Sequence, residues 1–280
     1  MSYANFIPNV WAAGINRELA RTCVFADGCH SEFVGQIGKA GESITFVGCG
    51  KPTIRTIDRQ NANSPIEGAE EVEDTSVIMP INRVSYFNYK VGDVDKAQAI
   101  EGLMEALQEE TTEGLSNEVD KYIADLAKSD EAVLLSSDTL EISEENVMKI
   151  IDDALEKLYK NDVKDSTYIE AILPPYMYMA LKRKYIHLDT DNSEMLKNGK
   201  VGMYGKVVIK MSNNVANDGT NDYVMVRTKR AIGYAKPLTH TEPYRPENGF
   251  SDAVKGFILY DAKILRPKEM VVIKCKKASA

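Results

Sequence analysis

Cysteine and histidine are scarce: the 280 residues hold four cysteines and three histidines. Cys23, Cys29, Cys49 and Cys275 are too few and too scattered for a disulfide framework. They fit a chain kept reduced inside a cell, its thiols serving as small apolar side chains. Cys23, Cys29, His30 and Cys49 are the right residue types for zinc, but no C-x-x-C or H-x-x-x-H spacing joins them, so no metal is expected. Long apolar runs are missing too. None approaches the roughly 20 residues of a membrane span, and Asn5, Asn9, Asn16, Arg17 and Glu18 interrupt any signal-peptide core at the N-terminus. Basic charge is in deficit: 34 Lys and Arg against 42 Asp and Glu give a net charge of -8. A sheath gripping nucleic acid needs the opposite balance.

Catalytic patterns are likewise absent. There is no G-x-S-x-G elbow, and His30, His187 and His240 lie far apart. Residues 189–194 begin like a calcium loop but place Glu194 where the turn glycine belongs. Residues 199–206 imitate a phosphate loop with the glycines one residue too far apart and Val207 in place of Ser or Thr, which leaves a turn. No catalytic, cofactor-binding or metal-ligating residue is assigned.

What is present points outward from the molecule. Ile7, Val10, Trp11, Ile15 and Leu19 recur at helical spacing, and Pro8 suits a first turn. This leading segment carries the chain's single Trp, expected to dock on a large apolar surface. Short alternating runs follow at Ile44 with Phe46, at Ile54 with Ile57, and at Ser85, Phe87, Tyr89 and Val91. Between them, residues 60–75 hold Glu67, Glu70, Glu71, Glu73 and Asp74 with no Lys or Arg. Pro65 and Pro80 disfavour a closed sheet, so the region predicts a two-stranded excursion with an acidic tip. An isolated hairpin is marginal in water and needs a surface to lie on. Basic groups at Arg183, Lys184 and Arg230 are candidate receivers of that acidic stretch from a neighbouring copy.

The longest helical pattern runs over residues 94–127, weakened between Glu109 and Gly114, where a bend or break is expected. A second helix has Ser143 as its N-cap and an apolar face of Val147, Ile150, Ile151, Ala154, Leu155 and Leu158. The remainder predicts a strand to Leu173, a short helix opened by Pro174-Pro175, and strands around Val207, Tyr223, Phe257 and Met270. The class is α+β.

The order of these elements resembles the tailed-phage coat proteins with the Hong Kong 97-type capsid fold, over nearly the whole chain. Asn5-Phe6-Ile7-Pro8-Asn9-Val10-Trp11 looks like that family's arm. Gly41-Glu42-Ser43-Ile44-Thr45-Phe46 with Gly50-Lys51-Pro52-Thr53 is similar to the start of its extended loop, and Phe87-Asn88-Tyr89-Lys90-Val91 to the return strand. Leu173-Pro174-Pro175-Tyr176 resembles the strand-to-helix step of its axial domain. Ala253-Val254-Lys255-Gly256, Tyr260-Asp261-Ala262-Lys263 and Arg266-Pro267 resemble its returning strands. The resemblance implies an arm and the start of a peripheral domain over 1–40, an extended loop over 41–92, a peripheral domain with a spine helix over 93–142, an axial domain over 143–252, and returning peripheral strands over 253–280.

It further implies a major capsid protein, not an enzyme. Such subunits self-assemble as pentamers and hexamers into an icosahedral shell around double-stranded DNA, with no membrane partner and no cofactor. The expected location is the virion, after assembly in the host cytoplasm with a portal protein. Because the arm motif starts almost at Met1, a separate scaffolding protein is expected in place of a fused one. Lys51 lies in the loop region, but no pattern identifies a partner for covalent cross-linking. The alternatives are an encapsulin-like nanocompartment shell and, more remotely, an enzyme with its site between residues 143–185 and 205–275.

Overall fold

The structure, a computed structural model, describes residues 23–31, 43–46, 53–56, 68, 71, 76–92, 103–164, 167–186, 202–247 and 251–278. A seven-stranded mixed sheet forms the centre. Its order is β4 (Leu140–Ile142), β12 (Met270–Lys277), β9 (Asp222–Thr228), β5 (Ile169–Leu173), β7 (Val207–Met211) and β6 (Met203–Tyr204), with β8 (Ala216–Asn217) also paired to β9. All five residues of β5 are buried, as in a strand covered on both faces.

The alternation of side chains divides two cores between those faces. Ile169, Ala171, Leu173, Val224, Val226, Val271 and Ile273 face one side. There they pack on α2 (Val147–Lys160) and α3 (Pro175–Ile186), which contribute Ile150, Ile151, Leu158, Met177 and Leu181. Ile172, Met225, Met270 and Val272 face the other side and pack on α1 (Leu103–Asp125) through Leu115, Val119 and Ile123.

Helix α1 is continuous from Leu103 to Asp125, so the polar stretch where a bend or break was expected holds no break. Within it the Thr111 hydroxyl donates to the Leu107 carbonyl at 2.6 Å and the Ser116 hydroxyl to the Thr112 carbonyl at 2.8 Å, which satisfies both hydroxyls on the helix itself. Its 23 residues span about 34 Å at 1.5 Å per residue. Residues 94–102 lie outside the described residues. Helix α2 starts later than expected, with Asn146 and not Ser143 at its N-cap. The Asn146 side chain folds back, accepting from the Ser143 N–H at 2.8 Å and donating to the Glu141 carbonyl at 2.7 Å.

A second, three-stranded antiparallel sheet has the order β10 (Ile232–Tyr244), β11 (Ser251–Ile264), β3 (Arg83–Gly92). Ser85, Phe87 and Tyr89 turn their half-buried sides toward α1, while Val84, Tyr86, Asn88 and Lys90 are exposed. Strand β10 was missed in the sequence, where Gly233, Pro237 and Pro243 interrupt any apolar alternation. The structure places Pro237 in a bulge between Ala235 and Leu238, and Pro243 on an edge strand, both positions that tolerate a missing N–H. Gly256 is required by close packing: a Cβ there would sit 2.6 Å from Phe87 Cζ and 2.7 Å from the His240 carbonyl oxygen.

The third sheet is a short ladder of β1 (Ser43–Phe46) and β2 (Val77–Pro80), with Ser43 opposite Pro80 and Phe46 opposite Val77. Ile44, Phe46, Met79 and Ile81 seat it against Ala235 and Leu259 of the three-stranded sheet. Strand pairing crosses the boundaries read from the sequence. Strand β12, grouped there with the peripheral strands, lies in the central sheet, and β10, grouped with residues 143–252, pairs with β11.

Gly256→Ala is expected to lower stability by about 1–3 kcal/mol through overpacking, measured as a shift of the urea midpoint at unchanged slope. Phe87→Leu in the same background should recover part of the loss by withdrawing the ring.

Candidate functional site

The described root of the leading segment, residues 23–30, is clasped into the body by buried charge. Arg227 on β9 and Glu170 on β5 are both 0% exposed, and the Arg227 Nη2 lies 2.9 Å from Glu170 Oε1. The Arg227 Nε donates to the same oxygen at 3.0 Å, Nη1 to Cys29 Sγ at 3.2 Å, and Nη2 also to the Phe25 carbonyl. The second Glu170 oxygen meets Lys210 Nζ of β7 at 3.0 Å, and that ammonium reaches Asp27 at 2.8 Å. Every charge buried here has an opposite charge and further hydrogen bonds, which a low-dielectric interior demands.

Helix α1 grips the same loop from the other side. The Asp120 carboxylate accepts from the backbone N–H groups of Val24 at 2.7 Å, Phe25 at 3.0 Å and Ala26 at 3.3 Å. Burial nevertheless holds the Asp120 carboxyl above its ordinary range. Gly28 makes the close approach possible: a Cβ there would fall 1.7 Å from Glu170 Oε1. Loop, helix and three strands of the central sheet are thus fixed to one another. Burial and the nearby Asp120 push the Cys23 thiol up to about 12, and burial also raises Cys29. Both are poor nucleophiles and poor metal ligands in this state. Among the described residues, no group of three His, Cys, Asp or Glu is placed to hold a metal ion, and Cys49 lies outside them.

The outward-facing candidates fare differently. Trp11, Glu67, Glu70 and Glu73 lie outside the described residues, as does the loop at 189–194. Glu71 is described and exposed. Arg183 and Arg230 already have partners within the chain, since Arg183 pairs with Glu144, and Arg230 lies 3.1 Å from Glu269. Lys184 is half-buried in the last turn of α3. Residues 53–56, expected as part of a strand, belong to no strand and are exposed, with Ile54 at 91%. Tyr86 at 79%, Ile78 at 57% and Val84 at 52% leave further apolar surface in water. The buried clasp was missed in the sequence. Its only signal was the charges Glu170 and Arg227 inside otherwise apolar strands.

Two predictions come from these charges. Arg227→Met should cost about 3–5 kcal/mol by stranding the Glu170 carboxylate, whereas Arg227→Met with Glu170→Leu should recover much of it; chemical denaturation of the three proteins checks this. Glu269 is held below the ordinary carboxylate range: burial raises it, but the Thr228 hydroxyl, Arg266 and Arg230 outweigh that. A carboxyl lowered by folding stabilises above its unfolded value, and the gain is lost as pH falls through the folded one. Glu269→Gln should therefore be less stable than wild type near pH 7 by about 1 kcal/mol, with the gap closing below about pH 4.5 in thermal melts across pH.

No protein family and no curated protein matches the chain at the level of sequence. Solved structures do match. A structure from Mycobacterium phage Che8 is 21% identical, with a TM-score of 0.74 over 89% of this chain and 90% of that one. A capsid structure of the cyanophage P-SCSP1u is 14% identical, with a TM-score of 0.70 over 91% and 89%. A virus-like particle from Pyrococcus furiosus is 12% identical, with a TM-score of 0.60 over 95% and 98%. At these identities it is the backbone arrangement that is shared, over about nine-tenths of each chain: the chain has the α+β fold of phage capsid structures.

Proposed function

We propose that this chain is the major capsid protein of a tailed phage, a shell subunit and not an enzyme. The observation that carries the reading is the likeness to phage capsid structures over about nine-tenths of both chains. In this reading the subunits assemble as pentamers and hexamers into an icosahedral shell around double-stranded DNA, with scaffolding and portal proteins as partners in the host cytoplasm. Helix α1 is the spine, and together with the β10–β11–β3 sheet it forms the peripheral domain. The central sheet with α2 and α3 is the axial domain. Residues before the clasp serve as the arm, and the excursion closed by the β1–β2 ladder as the extended loop.

The physics of shells suits this layout. A contact of about -4 kcal/mol is only millimolar, so a wrong placement reverses. Several such contacts made together hold through effective concentration. An outlying arm and loop multiply contacts, while the clasp keeps the body unchanged as neighbours vary in angle. A net negative subunit also avoids gripping packaged phosphate.

A second reading, an encapsulin-like nanocompartment around protein cargo, is favoured by the Pyrococcus furiosus virus-like particle. Electron microscopy of the protein expressed with and without its neighbouring genes decides whether closed shells form. Nuclease-protected DNA in particles made during infection is expected for a capsid, and cargo protein for a nanocompartment. Soluble monomers under every condition would end both readings.

A further inference from the structure

Two aspartates of the chain are followed by glycine, at Asp27–Gly28 and Asp218–Gly219. Such a pair is chemically delicate, because glycine has no side chain to shield its backbone nitrogen from the neighbouring carboxyl. Attack of that nitrogen on the carboxyl carbon closes a five-membered imide ring. Water reopens the ring to aspartate, or to isoaspartate, in which the backbone runs on through the side-chain carbon.

The two pairs are held in opposite ways. At Asp218 both reacting groups are occupied. Its carboxylate accepts from the Thr220 N–H at 2.9 Å, the Asn221 N–H at 2.7 Å, the Asn221 side-chain amide at 3.0 Å and the Tyr223 hydroxyl at 3.0 Å. The Gly219 N–H donates to the Asn217 side chain. Turning this carboxylate toward residue 219 breaks several hydrogen bonds at once.

At Asp27 neither group is tied up in this manner. The side chain is 66% exposed, and the Lys210 ammonium lies 2.8 Å from its carboxylate. The Gly28 N–H meets no acceptor among the described residues. The Cys29 N–H donates to the Ala26 carbonyl at 3.1 Å, which folds the chain into a turn across both residues. Lys210 is itself anchored, 3.0 Å from the fully buried Glu170 carboxylate. A cation fixed beside a carboxylate draws off its negative charge and has a proton for a departing oxygen.

We propose that Asp27–Gly28 is a self-modification site, where Lys210 assists ring closure and the isoaspartate product unfastens residues 23–30 from the body. In the closing step the Gly28 nitrogen bonds to Cγ of Asp27, and one carboxylate oxygen leaves as water. That water takes the Gly28 amide proton and one proton from Lys210. A second water then opens the ring at the backbone carbonyl, giving isoaspartate, and Lys210 regains its proton. The added methylene lengthens the turn between Phe25 and Cys29, the two residues that together meet Arg227. The buried charges then lose partners that they require.

Ageing the full chain at neutral pH, folded and in urea, tests the site through peptide mapping with isoaspartate-specific fragmentation. In the folded protein isoaspartate should accumulate at residue 27 about tenfold or more faster than at residue 218. In urea the two rates should be similar, with residue 27 slower than when folded. Lys210→Met, its folding checked by thermal melts, should slow residue 27 about tenfold or more and leave residue 218 unchanged. Amide exchange at residues 23–30 should be faster in aged wild type than in fresh protein, and unchanged on ageing in Asp27→Glu. Equal rates at the two sites in the folded protein, or a faster rate at residue 27 in urea, would overturn the site. An undiminished rate in folded Lys210→Met would overturn the part given to the lysine. Isoaspartate at residue 27 without faster exchange at residues 23–30 would overturn the release.

Discussion

Arg227 and Glu170 are fully withdrawn from water at the middle of the central sheet, and the surrounding architecture answers the demand that this creates. An ion buried in a protein costs several kcal/mol unless partners replace its hydration. Here the replacements come from distant parts of the chain: the Phe25 carbonyl and Cys29 thiol from the loop, and Lys210 from β7. The pair is satisfied only when the loop is home, which ties the formation of the sheet to the seating of residues 23–30. The contribution is conformational specificity more than net stability, since a well-packed apolar substitute for such a pair is often as stable.

Both faces of the central sheet are covered, by α2 and α3 on one side and by α1 on the other. Exposed large apolar groups occur on this body too, as Met203 and Met211, and on β2, β3 and the stretch at 53–56, where Ile54 and Tyr86 are the most exposed. Large exposed apolar surface commonly marks association.

The sequence was informative where periodicity was strong. Helix α2 was legible because Val147, Ile150, Ile151, Ala154 and Leu158 mark one face, and all five are buried. Strands β5, β7, β9 and β12 announced themselves as short apolar runs. It was uninformative where one long-range interaction decides a local outcome. Asn146 displaced Ser143 as the cap because its amide also reaches Glu141. Strand β10 could not be read because its hydrogen bonds to β11 hold together residues whose own preferences are for turns. The candidate basic receivers were chosen for charge alone, and two of them proved to have acidic partners nearby in space yet 39 residues away in sequence.

The β1–β2 ladder has an effect on how this protein can change over time. By pairing Phe46 with Val77 and Ser43 with Pro80, it closes the chain between those strands into a loop. Doubling the length of a chain closed in this way adds only about 0.6 kcal/mol of closure entropy. Insertions, deletions or grafted peptides in that interval are thus thermodynamically cheap. The interval is a natural place for lineages to diverge in size while keeping one common chassis.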